Sequence, residues 1–185
     1  MKKGHCILVF GVSGVGKTVS CEDFSLRHPN YLYTRASKLL SEASSESSEK
    51  LRTSDADRVI SNQKLLISRF WEFRKGQLDR PILLDAHAVI DNDATLIKVP
   101  VQVVTALEPA ALILLEAPIN LLVQRRASGI RQRPPRTPEQ LRLEMNAESQ
   151  AVKEYSRELR VPLAIGNVLE DFRLDELINK VAPLD

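Results

Sequence analysis

A glycine-rich run near the amino terminus carries the strongest chemical signal in this chain. Residues 11–18, GVSGVGKT, fit the pattern G-x-x-x-x-G-K-[ST] of a phosphate-binding loop. In such a loop backbone N–H groups surround phosphate oxygens, the lysine reaches the outer phosphates, and the final hydroxyl can bind Mg²⁺. The run therefore predicts a nucleoside triphosphate site made of Gly11, Val12, Ser13, Gly14, Val15, Gly16, Lys17 and Thr18.

A second set of polar side chains follows the apolar run Ile82–Leu84. Asp85 is the first carboxylate after this run, and His87 comes two residues later. Ligands of parallel sheets bind beyond the carboxyl ends of the strands, so we expect Asp85 to hold Mg²⁺ together with Thr18. The alternative for Asp85 is an acid that caps the next turn. For His87, contact with a substrate and a structural role both stay open.

A basic segment supplies positive charge of the kind that phosphoryl transfer needs. Residues 128–137, SGIRQRPPRT, contain glycine and two prolines and are predicted to form a mobile lid loop between helices. Arginine forks match phosphate oxygens and stabilise charge on a transferred phosphoryl group. We expect Arg131, Arg133 and Arg126 to act in catalysis together with Lys17. A solvated loop or a nucleic-acid patch is the alternative, although a net charge of +2 does not favour nucleic-acid binding.

These groups require a sheet that brings strand ends together. Short apolar runs alternate with longer segments of helical periodicity, which predicts a parallel sheet covered by helices on both faces. The predicted strands are His5–Phe10, Tyr31–Thr34, Pro81–Asp85, Ala111–Glu116 and Pro162–Ile165. The predicted helices are Lys17–Arg27, Ala36–Ala43, Asp55–Gly76, Val99–Leu107, Ile119–Ala127, Pro138–Leu159 and Leu174–Val181. The serine- and glutamate-rich tract Ser41–Glu49 is expected to be an exposed, mobile connection.

Composition indicates one globular domain over residues 1–185. The chain is 43% hydrophobic and 27% charged, as soluble proteins are. Cys6 and Cys21 fall inside a predicted strand and a predicted helix, so we expect buried, reduced thiols. The chain has neither a secretory signal nor an apolar run of about eighteen residues, so we expect a cytoplasmic protein with no membrane partner.

Several of these motifs together resemble the archaeal-type adenylate kinases, which belong to the nucleoside monophosphate kinases. The resemblance is carried by residues 11–18, Leu84-Asp85-Ala86-His87, Leu107-Glu108-Pro109, Arg125-Arg126, Arg131-x-Arg133 and Met145-Asn146. It implies an α/β fold with a five-stranded parallel sheet of order 2-3-1-4-5 and a lid loop at about residues 128–137. It also implies transfer of the γ-phosphoryl group of ATP to AMP with Mg²⁺.

The resemblance further implies an acceptor region at about residues 34–76. AMP would lie among Thr34, Ser37, Arg52, Gln63, Asp85 and His87, with Arg52 at its phosphate and Gln63 at a base edge. A homo-oligomer is compatible with the sequence. Two alternatives stay open: a kinase for another small metabolite, and an ATPase or ATP-binding switch that acts through a protein partner.

Overall fold

The computed structural model describes residues 3–128 and 135–182. Its central sheet has five parallel strands: β1 (Cys6–Phe10), β2 (Leu32–Arg35), β3 (Ile82–Asp85), β6 (Ala111–Glu116) and β7 (Leu163–Asn167). Their order across the sheet is β2-β3-β1-β6-β7. When only these five strands are numbered along the chain, the order is 2-3-1-4-5. The predicted fold class is therefore confirmed.

Eight helices connect and cover the strands in the described part of the chain. They are α1 (Lys17–Arg27), α2 (Ala36–Ser44), α3 (Ser48–Arg52), α4 (Ala56–Arg74), α5 (Val101–Ala106), α6 (Ile119–Ser128), α7 (Pro138–Leu159) and α8 (Asp175–Val181). The bounds of α1 and α7 match the prediction. Helix α7 begins sharply because Thr137 Oγ1 accepts from Gln140 N, while Gln140 Oε1 accepts from Thr137 N.

The core lies on both faces of the sheet. Along β1, the side chains of Ile7 and Val9 belong to one buried cluster, which includes residues of α1, α6 and α8. Leu8 and Phe10 belong to the other, which includes residues of α4 and α7. This alternation follows from the two-residue period of a strand, and it explains why a continuous apolar run precedes the phosphate loop.

Two features differ from the sequence prediction. An antiparallel hairpin, β4 (Val89–Asp91) and β5 (Leu96–Lys98), lies between β3 and α5. Its turn is stabilised by Asn92 Oδ1, which accepts from the backbone N–H groups of Ala94 and Thr95. The tract Ser41–Glu49, expected to be an exposed, mobile connection, has no buried residue but is mostly helical, because residues 41–44 belong to α2 and residues 48–49 to α3.

Capping explains the second of these differences. Ser47 Oγ accepts from the backbone N–H of Lys50 at 3.2 Å and so starts α3, which then buries Leu51 against the core. Serine favours helix starts as well as loops, and its frequency in the tract did not separate the two.

Cys6 and Cys21 are buried free thiols, as predicted, and burial raises the pKa of Cys6 to about 12. Within residues 3–128 and 135–182, none of the helices combines the length and apolar character needed to cross a membrane.

Arg74 is a fully buried cation at the end of α4. Its Nη2 donates to the backbone oxygens of Gly4, Leu78 and Arg80 at 3.3, 3.2 and 2.7 Å. We expect Arg74→Ala to lower the free energy of unfolding by about 3 kcal/mol, because it opens a cavity and leaves three carbonyl groups without this donor. Urea denaturation measures the change.

Arg69→Ala is the matched control for this prediction. Arg69 lies on the same helix, its side chain is 41% exposed, and its ion pair with Glu72 is a surface pair. We expect this control to change the free energy of unfolding by about 0.5 kcal/mol or less. Equal losses in the two variants would show that the buried bonds of Arg74 contribute no stability.

Candidate active site

The phosphate loop connects β1 to α1 at the centre of the sheet. Gly16, at φ 113°, immediately precedes Lys17 and adopts a conformation that favours glycine. A Cβ atom on Gly11 would lie 2.5 Å from the backbone oxygen of Leu115, so a larger residue would push the loop away from β6. The first N–H groups of α1 have no acceptor within the helix and are available to a phosphate.

Three predicted site residues converge beside this loop. Thr18 Oγ1 donates to Asp85 Oδ2 at 2.8 Å, and Lys17 Nζ lies 3.9 Å from Asp85 Oδ1. Lys17 is only 5% exposed, and its Nζ also donates to the backbone oxygens of Gly11 and Val12. Asp85 reaches this position because β3 lies beside β1, with Asp85 in register with Val9.

The hydroxyl of Thr18 and the carboxylate of Asp85 are suitable Mg²⁺ ligands. Both are hard oxygen donors, and they lie at the head of the helix that follows the loop. In residues 3–128 and 135–182, no cluster of three or more His, Cys, Asp or Glu side chains could hold a metal ion. Mg²⁺ at this position would therefore take further ligands from nucleotide phosphates and water, as it does in many phosphate sites.

Two arginines at the end of α6 contact the phosphate loop. Arg126 Nε donates to the backbone oxygen of Ser13 at 2.8 Å, and its Nη2 donates to both carboxylate oxygens of Glu144 at 2.9 and 2.7 Å. Arg125 Nη1 donates to the backbone oxygen of Val15 at 2.8 Å. The structure thus places Arg126 at the loop, and its catalytic role stays a prediction. Arg131 and Arg133 lie outside the described residues.

A cavity of about 180 Å³ opens next to the loop. Ser13 and Arg126 form part of its wall, and apolar residues from the sheet and from α4 and α5 form much of the rest. Four of the predicted acceptor residues line it, namely Ser37, Arg52, Gln63 and His87. The other two do not: Thr34 is buried in β2, and Asp85 bonds Thr18.

Two arginines in the wall of the cavity bind the same carboxylate. Arg52 Nη1 and Nη2 each donate to Asp93 at 2.9 Å, and Arg136 Nη2 donates to Asp93 Oδ1 at 2.6 Å. Arg136 also pairs with Asp91, at 2.9 Å. Hydrogen bonds from Arg52 are the main reason why the pKa of Asp93 lies below its usual value. The two guanidinium groups thus form one ion-pair cluster with the carboxylates of Asp91, Asp93 and Glu49.

Sequence reasoning did not find this cluster. It placed Arg136 in a lid loop and did not consider Asp91 or Asp93. The run Asp91-Asn92-Asp93 is typical of a tight turn and could have predicted the hairpin, but nothing in the sequence pairs it with Arg136.

Glu148 is a further residue that the sequence did not single out. It lies in α7, is 1% exposed, and accepts hydrogen bonds from the backbone N–H groups of Gly11, Ala88 and Val89. Burial raises its pKa, whereas Lys17 and the three N–H donors act in the opposite direction. No sequence signal distinguishes it from the exposed glutamates of the same helix.

The fold and the site define the class. A strand that ends in a Gly-rich, Lys-Thr loop, with a carboxylate on the neighbouring strand, is the nucleotide-binding arrangement of P-loop proteins. The chain belongs to the AAA domain family, whose model matches residues 10–142, more than half of the chain. No curated protein matches it by sequence.

Solved structures with a similar fold include three kinases. A shikimate kinase from Bacteroides thetaiotaomicron has 14% identity and a TM-score of 0.58, with 95% of each chain covered. A sugar kinase from Janibacter sp. HTCC2649 has 14% identity and a TM-score of 0.57, covering 97% of this chain and 96% of that one. A shikimate kinase from Acinetobacter baumannii in complex with shikimate has 11% identity and a TM-score of 0.59, with coverage of 91% and 85%. At such low identity the likeness shows a shared fold.

Proposed function

We propose that this protein is an ATP-dependent phosphotransferase whose small anionic acceptor binds in the cavity. One observation carries the proposal: Ser13 of the phosphate loop and Arg126, which bonds it, also form part of the cavity wall. A molecule in the cavity would therefore lie beside the terminal phosphate of a nucleotide held by the loop. A binding site for a nucleotide alone would not need this second space.

The residues have separate roles in the proposed reaction. Lys17 and the N–H groups of the loop hold the phosphates, while Arg126, with Arg131 and Arg133 as predicted, stabilises charge on the transferred group. Thr18 and Asp85 would hold Mg²⁺, which neutralises charge on the phosphates when bound. An acceptor oxygen forms a bond to the γ-phosphorus as the bond to the β,γ-bridging oxygen breaks, and ADP leaves.

The cavity suits an acceptor with an apolar body and an anionic group. Its apolar walls include Phe10, Leu66 and Val104, and the amide of Gln63 lies among them. Arg52 and Arg136 can exchange Asp93 for an anion of the acceptor, because a guanidinium fork binds carboxylates and phosphates in the same way. AMP combines an aromatic base with a phosphate, so it is the first acceptor to test.

A compact hydroxy acid such as shikimate is the second candidate. The cavity, at about 180 Å³, is small compared with the usual 300–1,000 Å³ of ligand pockets. For such an acceptor the arginine pair would hold the carboxylate, and a hydroxyl group would receive the phosphoryl group.

An acceptor panel tests the proposed function. The protein is incubated with ATP and Mg²⁺ and with AMP, CMP, UMP, GMP or shikimate, and ADP formation is measured. We expect one acceptor, AMP first, to raise ADP formation to about 1–100 per second. If ADP forms equally fast without any acceptor, the transferase proposal is wrong and the ATPase alternative gains support.

Replacing Arg52 with methionine should weaken acceptor binding. We expect Arg52→Met to raise the acceptor KM by about 30-fold, because charge-assisted hydrogen bonds of this kind contribute about 2 kcal/mol. The Kd of MgATP should change far less, since Arg52 donates its hydrogen bonds to Glu49, Asp91 and Asp93, which lie outside the phosphate loop. Steady-state kinetics and calorimetry measure the two constants.

Arg58→Met is the control for this experiment. Arg58 also lies near the acceptor region, but its side chain is half exposed and pairs with Glu46 at the surface. The control should keep the wild-type KM. An unchanged acceptor KM in Arg52→Met would remove this residue from the acceptor site.

A further inference from the structure

Glu148 connects three backbone segments through one buried carboxylate. Its Oε1 accepts from Gly11 N and Ala88 N, both at 3.0 Å, and its Oε2 accepts from Val89 N at 2.7 Å. Gly11 opens the phosphate loop, whereas Ala88 and Val89 follow the end of β3 and begin the hairpin. A single oxygen atom therefore joins the nucleotide side of the site to the cavity side.

Each of these bonds acts next to a predicted site residue. The backbone N–H of Gly11 donates to Glu148, and the backbone oxygen of the same residue accepts from Lys17 Nζ. Ala88 directly follows His87, which lines the cavity, and Val89 lines it as well. A displacement of Glu148 would therefore move the lysine and the cavity wall relative to each other.

The chemistry of this position requires a carboxylate. Three N–H groups need acceptor sites on both oxygens, and a carboxylate supplies acceptors only. Glutamine would keep one acceptor oxygen and would turn an NH₂ group toward an N–H donor. The local structure does not need such a group for helix formation, because α7 has its own capping box at Thr137.

Helix α7 contacts the loop at a second point one turn earlier. Glu144 binds Arg126, and Arg126 in turn binds the backbone oxygen of Ser13. The helix thus reaches the two ends of the run 11–13 through two acidic residues four positions apart. It also begins directly after the segment 128–137, which carries the predicted lid arginines.

We propose that Glu148 is a positioning residue for phosphoryl transfer, which aligns the phosphate loop with the cavity through Gly11, Ala88 and Val89. This role presupposes the proposed function, since it concerns the phosphoryl transfer proposed above. Because Glu148 aligns two sites and is separated from both ligands by backbone, its loss lowers kcat more than it weakens the binding of nucleotide. Misplacement of reacting groups by about 1 Å can cost on the order of 10²-fold in rate.

The test compares Glu148→Gln with Glu154→Gln, a control on the same helix whose carboxylate pairs with Lys98 at the surface. We expect Glu148→Gln to lower kcat by on the order of 10²-fold. Calorimetry should show about one MgATP bound per chain, with a Kd within about threefold of the wild type, or about 0.7 kcal/mol. The control should keep the wild-type kcat.

Other results would overturn the inference. A wild-type kcat in Glu148→Gln removes the positioning role. If kcat falls only in proportion to the fraction of chains that still bind MgATP, the role of Glu148 is structural. If Glu148→Gln does not fold, Glu148→Asp decides by the same measurements, because it keeps the charge and is one methylene too short to hold all three N–H groups.

If the proposed function is wrong, the wild-type protein phosphorylates none of the acceptors in the panel, and this result does not depend on Glu148. Amide hydrogen exchange then tests the link itself. Because glutamine cannot accept from all three N–H groups, at least one of the amides of Gly11, Ala88 and Val89 should exchange faster in Glu148→Gln than in Glu154→Gln, while the amides within β6 stay unchanged. Equal exchange at all three amides in both variants overturns the inference.

Discussion

Replacing Lys17 with alanine is expected to reduce turnover by on the order of 10²-fold or more, because a positioned donor to the transferred phosphoryl group is lost. Lys17 is 5% exposed, and its Nζ lies 3.9 Å from Asp85 Oδ1. The glycines of the loop adopt positive φ angles. A buried ammonium group at this point acts on phosphate charge with little screening by water. Initial rates of ADP formation with the best acceptor measure the effect.

The matched control for this prediction is Lys153→Ala. Lys153 is an exposed lysine of α7, and its loss removes the same charge from the surface of the protein. We expect the control to keep the wild-type rate. Lys17→Ala at normal turnover, with an intact fold by circular dichroism, would show that the phosphate loop does not support the reaction.

Replacing Asp85 with asparagine is expected to lower turnover by a similar factor and to raise the Mg²⁺ concentration needed for half-maximal rate. The carboxylate of Asp85 accepts from Thr18 Oγ1 at 2.8 Å, so the two oxygens are placed to bind one ion. Asparagine has nearly the same shape but carries no negative charge. Turnover measured across a range of Mg²⁺ concentrations separates weaker metal binding from misfolding.

Two further measurements support the interpretation of this variant. Asp79→Asn changes an exposed carboxylate shortly before β3 and should leave the Mg²⁺ dependence unchanged. Removal of Mg²⁺ with a chelator should abolish turnover of the wild-type protein. If Asp85→Asn and the wild type show the same Mg²⁺ dependence, Asp85 is not a metal ligand.

The phosphate loop and the sheet could be predicted from sequence because both depend on local patterns. Glycine spacing in residues 11–18 specifies the loop, and Lys17–Arg27 follows as a helix at the predicted bounds. Asp85 could be placed near the loop for a related reason. The carboxyl ends of parallel strands meet at one edge of a sheet, so the end of one strand points to residues at the end of the next.

Four of the six residues predicted to bind the acceptor lie in the wall of the cavity. Ser37, Arg52, Gln63 and His87 line the cavity, while Thr34 and Asp85 do not. That AMP binds there stays a prediction, as do the roles of Arg131 and Arg133. The hairpin was missed because its strands have only three residues each, too few for a clear alternating pattern.

The sequence by itself determined the phosphate loop, the five strands of the central sheet, most of the helices, and the positions of Thr18 and Asp85, whose binding of Mg²⁺ stays a prediction. Only the tertiary structure brought Arg52 and Arg136 to the same carboxylate of Asp93, and Glu148 to the backbone of Gly11. The physical reason is separation along the chain. Residues 137 positions apart meet through the packing of a whole helix against the sheet, and no local pattern specifies which side chain then faces which backbone group.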